Sequence, residues 1–131
     1  PAAGWSTAEF NDSSWKEASG GFGSKDIQGG VVRSEWKTAD IWLRREFDWT
    51  IDHTGVPTMS IYHDDNAEIY INGILACKVK DYVSEYEEQI ITPEALATLK
   101  PGKNWLAVHC HQTTGGQFID VGIFTESAGS K

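Results

Sequence analysis

Apolar and polar side chains alternate with a period of two along most of this 131-residue sequence, which commits the chain to strands. In Ile41 to Trp49, Leu43, Arg45 and Phe47 fall on one side while Trp42, Arg44 and Glu46 fall on the other. Thr58 to His63 and Ala67 to Asn72 flank Asp64-Asp65-Asn66, a polar cluster suited to a tight turn, so the spacing predicts a hairpin. Asn72-Gly73 is the strongest hairpin signal in the chain. It leads into Ile74 to Val79 and predicts a three-strand meander. Tyr82 to Ile91 is a further strand candidate, with Glu85, Glu87 and Glu88 on its solvent side. Thr92-Pro93-Glu94 has the chemistry of a helix start, with Thr as N-cap and Pro in the first turn, and predicts one short helix over Pro93 to Leu99. Lys100-Pro101-Gly102-Lys103-Asn104 breaks it. In Trp105 to His111, Leu106, Val108 and Cys110 alternate with Ala107, His109 and His111, and Phe118 to Phe124 supplies the last strand. Gly20 to Gly23 and Gln28 to Gly30 mark loop-rich chain without a predicted element.

Strands outnumber helical segments, and no long helix follows a strand as a parallel sheet requires. The expected class is therefore all-β: an antiparallel β-sandwich with one short helix. The length suits a single domain over 1–131, with one core and a linker-like tail at Glu126 to Lys131. The start at Pro1 reads as that of a piece excised from a larger chain, with any targeting signal outside it. With 11 Lys plus Arg against 19 Asp plus Glu, the net charge is −8, which repels nucleic acid and anionic lipid. No apolar run approaches the roughly 18 residues of a membrane span, so no membrane insertion is expected. Two cysteines are too few for a disulfide framework. Cys77 and Cys110 both sit on apolar sides of their strands, which favours buried thiols over a bridge while leaving the bridge open.

Four segments carry a resemblance. Phe10-Asn11-Asp12-Ser13-Ser14-Trp15, Asp40-Ile41-Trp42-Leu43-Arg44-Arg45-Glu46-Phe47, His63 to Gly73, and Pro101-Gly102-Lys103-Asn104-Trp105-Leu106-Ala107-Val108 together span nearly the whole chain. In this order they resemble the galactose-binding-like jelly-roll domains, including the sugar-binding domain at the start of family 2 glycoside hydrolases. The resemblance implies a jelly roll of roughly eight strands and a secreted, periplasmic or cell-surface location. It also implies a non-catalytic accessory domain of a secreted bacterial hydrolase, whose partner is the catalytic domain of the same chain. The alternative role is a carbohydrate-binding module that recruits a glycan through loop aromatics and polar residues.

Six tryptophans are the compositional outlier. Sugars stack their C–H faces on aromatic rings, while carboxylates and amides satisfy the hydroxyls. Trp36, Trp42, Trp49, Trp105, Tyr82 and Tyr86 are ring candidates, set against the commoner role of plugging a core. Trp36 has few apolar neighbours in Ser34-Glu35-Trp36-Lys37-Thr38, so it is expected on a loop and partly exposed. The expected carbohydrate-binding set is Trp36 and Asp40 from one segment with Asp64, Asp65 and Asn66 from the other. Whether the two segments meet at one end depends on strand register.

His109-x-His111 places two imidazoles on one strand face, and His63 is a conceivable third ligand. The spacing supplies neither a further ligand nor second-shell partners, so no metal site is assigned. Asp64-Asp65-Asn66 lacks the ligand spacing of an EF-hand; a structural calcium ion held by loop carbonyls stays open, and no other cofactor is expected. Gly20-Gly21-Phe22-Gly23 lacks the following Lys-Ser or Lys-Thr of a phosphate loop. Cys110 points away from both flanking histidines, and no catalytic residue is assigned.

Overall fold

A computed structural model of the chain describes residues 1–24, 27–50 and 55–125; the tail at Glu126 to Lys131 lies outside these. Nine strands and one helix follow in the order β1 Phe22–Gly23, β2 Ser34–Glu35, β3 Asp40–Trp49, β4 Thr58–Asp64, β5 Asn66–Ile71, β6 Ile74–Val79, β7 Glu87–Ile90, α1 Pro93–Leu96, β8 Gly102–His111 and β9 Phe118–Phe124. They form two sheets, ordered β2-β1-β9-β4-β7 and β3-β8-β5-β6. Every pairing is antiparallel except that of β1 with β2. The expected antiparallel sandwich with a short helix is what the chain forms.

The core lies between the sheets because each strand turns its apolar side inward. Met59 and Ile61 of β4 and Ile119 of β9 face Ile69 and Ile71 of β5 and Val108 and Cys110 of β8, all buried. Both thiols are free. Among the described residues, every buried side-chain nitrogen or oxygen has a hydrogen-bond partner, as a close-packed interior requires.

Asn72 and Gly73 both adopt positive φ, 50° and 86°, which matches the right-handed twist of a two-residue hairpin between β5 and β6. Asn72 does more than turn the chain. Its side-chain NH2 donates to the Asn104 side chain at 2.9 Å, and its side-chain oxygen accepts from the Trp105 N–H at 2.8 Å. Asn104 is fully buried and bonds Lys100 and Gly102 in turn, so the hairpin and the entry to β8 are locked together. At α1, Thr92 accepts from the Ala95 N–H as N-cap and Pro93 opens the first turn. The helix ends at Leu96, short of the expected Leu99.

The other expected hairpin does not form. β4 pairs with β7 and β9 in one sheet, whereas β5 pairs with β6 and β8 in the other. Asp64-Asp65-Asn66 therefore carries the chain across the sandwich, and the three-strand meander reduces to β5 and β6. Asp65 is buried at this crossing, where its carboxylate accepts from the Thr113 N–H at 2.7 Å. The strand expected over Tyr82 to Ile91 is confined to Glu87–Ile90; Glu85, Glu87 and Glu88 are exposed as expected. Gly20 to Gly23 holds the two-residue β1, where no element was expected.

Candidate functional site

The outer face of the four-stranded sheet is divided in two. Over one half lies the N-terminal segment, fastened by Arg44, whose side chain is only 1% exposed. Arg44 donates to the Asp12 carboxylate at 2.8 Å and to the carbonyls of Trp5 at 2.5 Å and Thr7 at 2.7 Å. Its guanidinium also lies 4.4 Å from the Trp105 ring centre and 5.2 Å from that of Phe10. A planar cation can satisfy carbonyls in its plane while its faces lie against aromatic rings. The resemblance-bearing segments around Phe10, Arg44 and Trp105 thus meet at one side chain.

The other half stays open. Strand register aligns Asp40, His111 and Asn66 in one row, and Trp42, His109 and Glu68 in the next. One Asp40 carboxylate oxygen accepts from both imidazoles, at 2.8 Å from His109 Nε2 and 2.9 Å from His111 Nδ1. Burial disfavours the Asp40 charge, yet the hydrogen bonds from His111 and His109 hold its carboxyl below the usual range. His109 turns its other nitrogen towards Glu68 at 3.5 Å. Its plane is therefore fixed, and the Trp42 indole stacks on it at 4.9 Å between centres, 5° from parallel. Trp42 is 37% exposed, on a rigid mount.

Beside Trp42, a groove of about 610 Å³ runs along the outer edge of β3, lined by Trp15, Lys16, Ser34, Glu35 and Trp42. Trp36 donates its indole N–H to Thr38, whereas neither Trp15 nor Trp42 donates one to another described residue. Two indole rings, an ammonium and a carboxylate line one groove, side chains of the kinds that stack a pyranose and bond its hydroxyls.

Of the five residues expected to form a site, strand register brings Asp40 and Asn66 to the same His111, with Asp64 and Asp65 next to Asn66 along the chain. The Asp65 N–H donates to the His111 carbonyl at 3.3 Å. The five do not form one open surface. Trp36 is 4% exposed and belongs to the core, which overturns the expectation of an exposed loop ring. Its flanking Glu35 and Lys37 are exposed and pair with each other at 3.2 Å, so polar neighbours hid an inward-pointing plug. Asn66 accepts from the Asp81 N–H at 2.7 Å, a structural bond. Burial and a hydrogen bond to Asp65 push the Asp64 carboxyl up to about 7. Hydrogen bonds from Thr113 and Asp64 outweigh burial and keep Asp65 low.

His63 stands apart from His109 and His111. It lies in the other sheet, and its Nδ1 donates to the carbonyls of Asp65 and Asp81 at 2.9 and 3.0 Å. Among the described residues, no group of three or more His, Cys, Asp or Glu is arranged to hold a metal ion. Trp15 was missed as a site residue because it ends a segment whose signal is structural. It lines the groove half-buried, edge-on to Phe10 at 5.7 Å, a placement that no local spacing encodes.

No protein-family model and no curated protein matches this chain. In fold it is similar to part of a β-glycosidase from Bacteroides vulgatus, with a TM-score of 0.54 and 20% identity. The match covers 93% of this chain and 18% of that one, so this chain spans under a fifth of the β-glycosidase.

Proposed function

We propose that the chain is a non-catalytic accessory domain of a larger, exported bacterial glycoside hydrolase, which it braces or docks against. The observation that carries this reading is the asymmetry of the match: nearly all of this sandwich corresponds to a small part of a β-glycosidase. The test begins with the reading frame around residues 1–131, which is expected to encode a glycosidase catalytic domain. Deleting 1–131 from that polypeptide should lower the temperature of catalytic inactivation by several degrees while leaving the bond cleaved unchanged. A frame without a hydrolase, or a deletion that leaves inactivation untouched, defeats the reading.

The groove beside Trp42 favours a second role, recruitment of a glycan chain. Loss of a stacking ring costs about 1–3 kcal/mol, a five- to hundred-fold loss of affinity. Glycan-array screening followed by calorimetry of Trp42→Ala and Trp15→Ala measures this. An array without hits leaves the bracing role alone, and a hit indifferent to both substitutions places its glycan elsewhere.

A further inference from the structure

The lower half of β9 is unfinished. Along one edge Asp120 to Phe124 pair with Tyr62 to Thr58 of β4, but along the other β1 reaches only as far as Ile119. The Ser24 N–H donates to the Gln117 carbonyl at 3.0 Å, which sets the parity of that edge. Odd-numbered residues turn their backbone groups towards β1, so Val121 and Ile123 present N–H and C=O to a lane empty of any described strand. A cavity of about 470 Å³ opens over this lane, walled by Leu43 and Arg45 of β3, Leu106 and Val108 of β8, and Val121 of β9, and bordered by the irregular chain Ala18 to Gly20 that precedes β1. Exposed edges are ordinarily guarded by charged side chains, above all lysine, by proline or by a bulge. Val121, Gly122, Ile123 and Phe124 include no such residue, and their register with β4 is continuous.

We propose that this lane receives a single extended strand from the neighbouring domain of the larger polypeptide, a proposal that rests on the accessory-domain reading. The backbone groups of Val121 and Ile123 require a partner with free N–H and C=O in register, which a strand offers and a helix does not. Alternate side chains of that strand enter the cavity, so they are apolar. Arg45, an exposed cation on the wall of an otherwise acidic molecule, selects a carboxylate beside them. A second copy does not fit. Antiparallel pairing of β9 with its copy keeps both four-stranded sheets on the same side, so the copy's β8 would fall where β3 already overhangs the lane.

Amide exchange in the 131-residue chain tests the edge, and a capped seven-residue peptide alternating valine with threonine, with a central glutamate, stands in for the strand. Without peptide, Val121 and Ile123 should exchange freely while Gly122 and Phe124, bonded to β4, are protected. Millimolar peptide should slow Val121 and Ile123 by about tenfold or more, the effect of one new hydrogen bond at each. Ile123→Pro removes an edge donor in a position an edge strand tolerates, and Arg45→Glu reverses an exposed charge. Each should weaken the peptide by about tenfold, the second variant deciding if the first does not fold. Protected edge amides in the peptide-free chain, or no response to peptide, overturn the proposal. In the intact polypeptide the same two amides should be protected. If a hydrolase flanks the chain and they remain open, docking by this edge is wrong while the accessory role stands; if no hydrolase flanks it, that role fails and the peptide still decides the edge.

Discussion

Asp64 and Asp65 follow one another at the crossing between the sheets, and their carboxyls move in opposite directions. Asp64 is raised to about 7, first by burial and then by its hydrogen bond to Asp65. A carboxyl raised in the folded state keeps a proton that the unfolded chain releases, so its effect on stability appears above pH 3.8, grows unfavourably with pH and is complete above about 7. Asn at this position donates the same hydrogen bond without ionising. Asp64→Asn is therefore expected to match the parent near pH 4 and to exceed it increasingly as pH rises to about 7, read as a growing difference in Tm. Asp40 carries the opposite sign. Its lowered carboxyl stabilises the fold above the ordinary value of 3.8, and that contribution disappears as pH falls through the lower folded value. Asp40→Asn should cost about 1 kcal/mol from pH 5 upward and nothing in strong acid. Because Asp40 fixes His109 and His109 carries Trp42, the substitution should also alter Trp42 fluorescence. A fluorescence change without the acid-limited loss in Tm would show that Asp40 acts on the ring alone.

Elements that depend on neighbouring residues were legible, and those that depend on distant ones were not. Asn72-Gly73 encodes its own positive φ angles, and Thr92-Pro93 its own cap, so hairpin and helix start stand where the residues place them. The Asp64-Asp65-Asn66 crossing has the composition of a turn, and nothing local distinguishes a chain that reverses within a sheet from one that leaves it. One trace was present. Ile61, Tyr62 and His63 are consecutively buried, because the outer side of β4 is covered by loop residues and Tyr62 donates to the Gln28 carbonyl at 2.6 Å. A strand buried on both faces is a poor candidate for a solvent-facing hairpin. The N-terminal segment teaches the same lesson. It contains no strand, yet Trp5 meets Tyr70 edge-on at 5.7 Å and Arg44 holds three of its carbonyls, the third being that of Phe10. Arg44→Ala leaves those acceptors and Asp12 without their donor, at a cost of about 3 kcal/mol. Limited proteolysis should then cut within residues 5–15 before the sandwich is attacked. Lysine, a single point donor, should recover only part of the loss. Equal resistance of Arg44→Ala and the parent would mean that the aromatic contacts alone seat the segment.

At the scale of the molecule, both sheets close through strands from the end of the sequence. β8 lies between β3 and β5, and β9 lies between β1 and β4, so neither sheet is continuous until residues beyond 101 have arrived. Such non-local pairing makes folding slow and all-or-none, since early strands find no lasting partner alone. A chain ending at residue 116 lacks β9, which removes Phe118 and Ile119 from the core and separates β1 from β4. It is expected to remain unfolded rather than form a smaller sandwich. The two cysteines report this directly. Cys77 is 8% exposed and Cys110 fully buried, and burial raises both thiols, so labelling must await unfolding. At roughly 0.05–0.15 kcal/mol per residue, a cooperative fold of this length slows thiol labelling by about 10⁴-fold or more against the open chain. In the complete chain both cysteines should label at one common slow rate, set by global opening. In the 1–116 chain both should label as fast as in denaturant. If Cys110 stayed protected there, β3, β8 and β5 would form a stable unit without β9, and the folding of the two sheets would be separable.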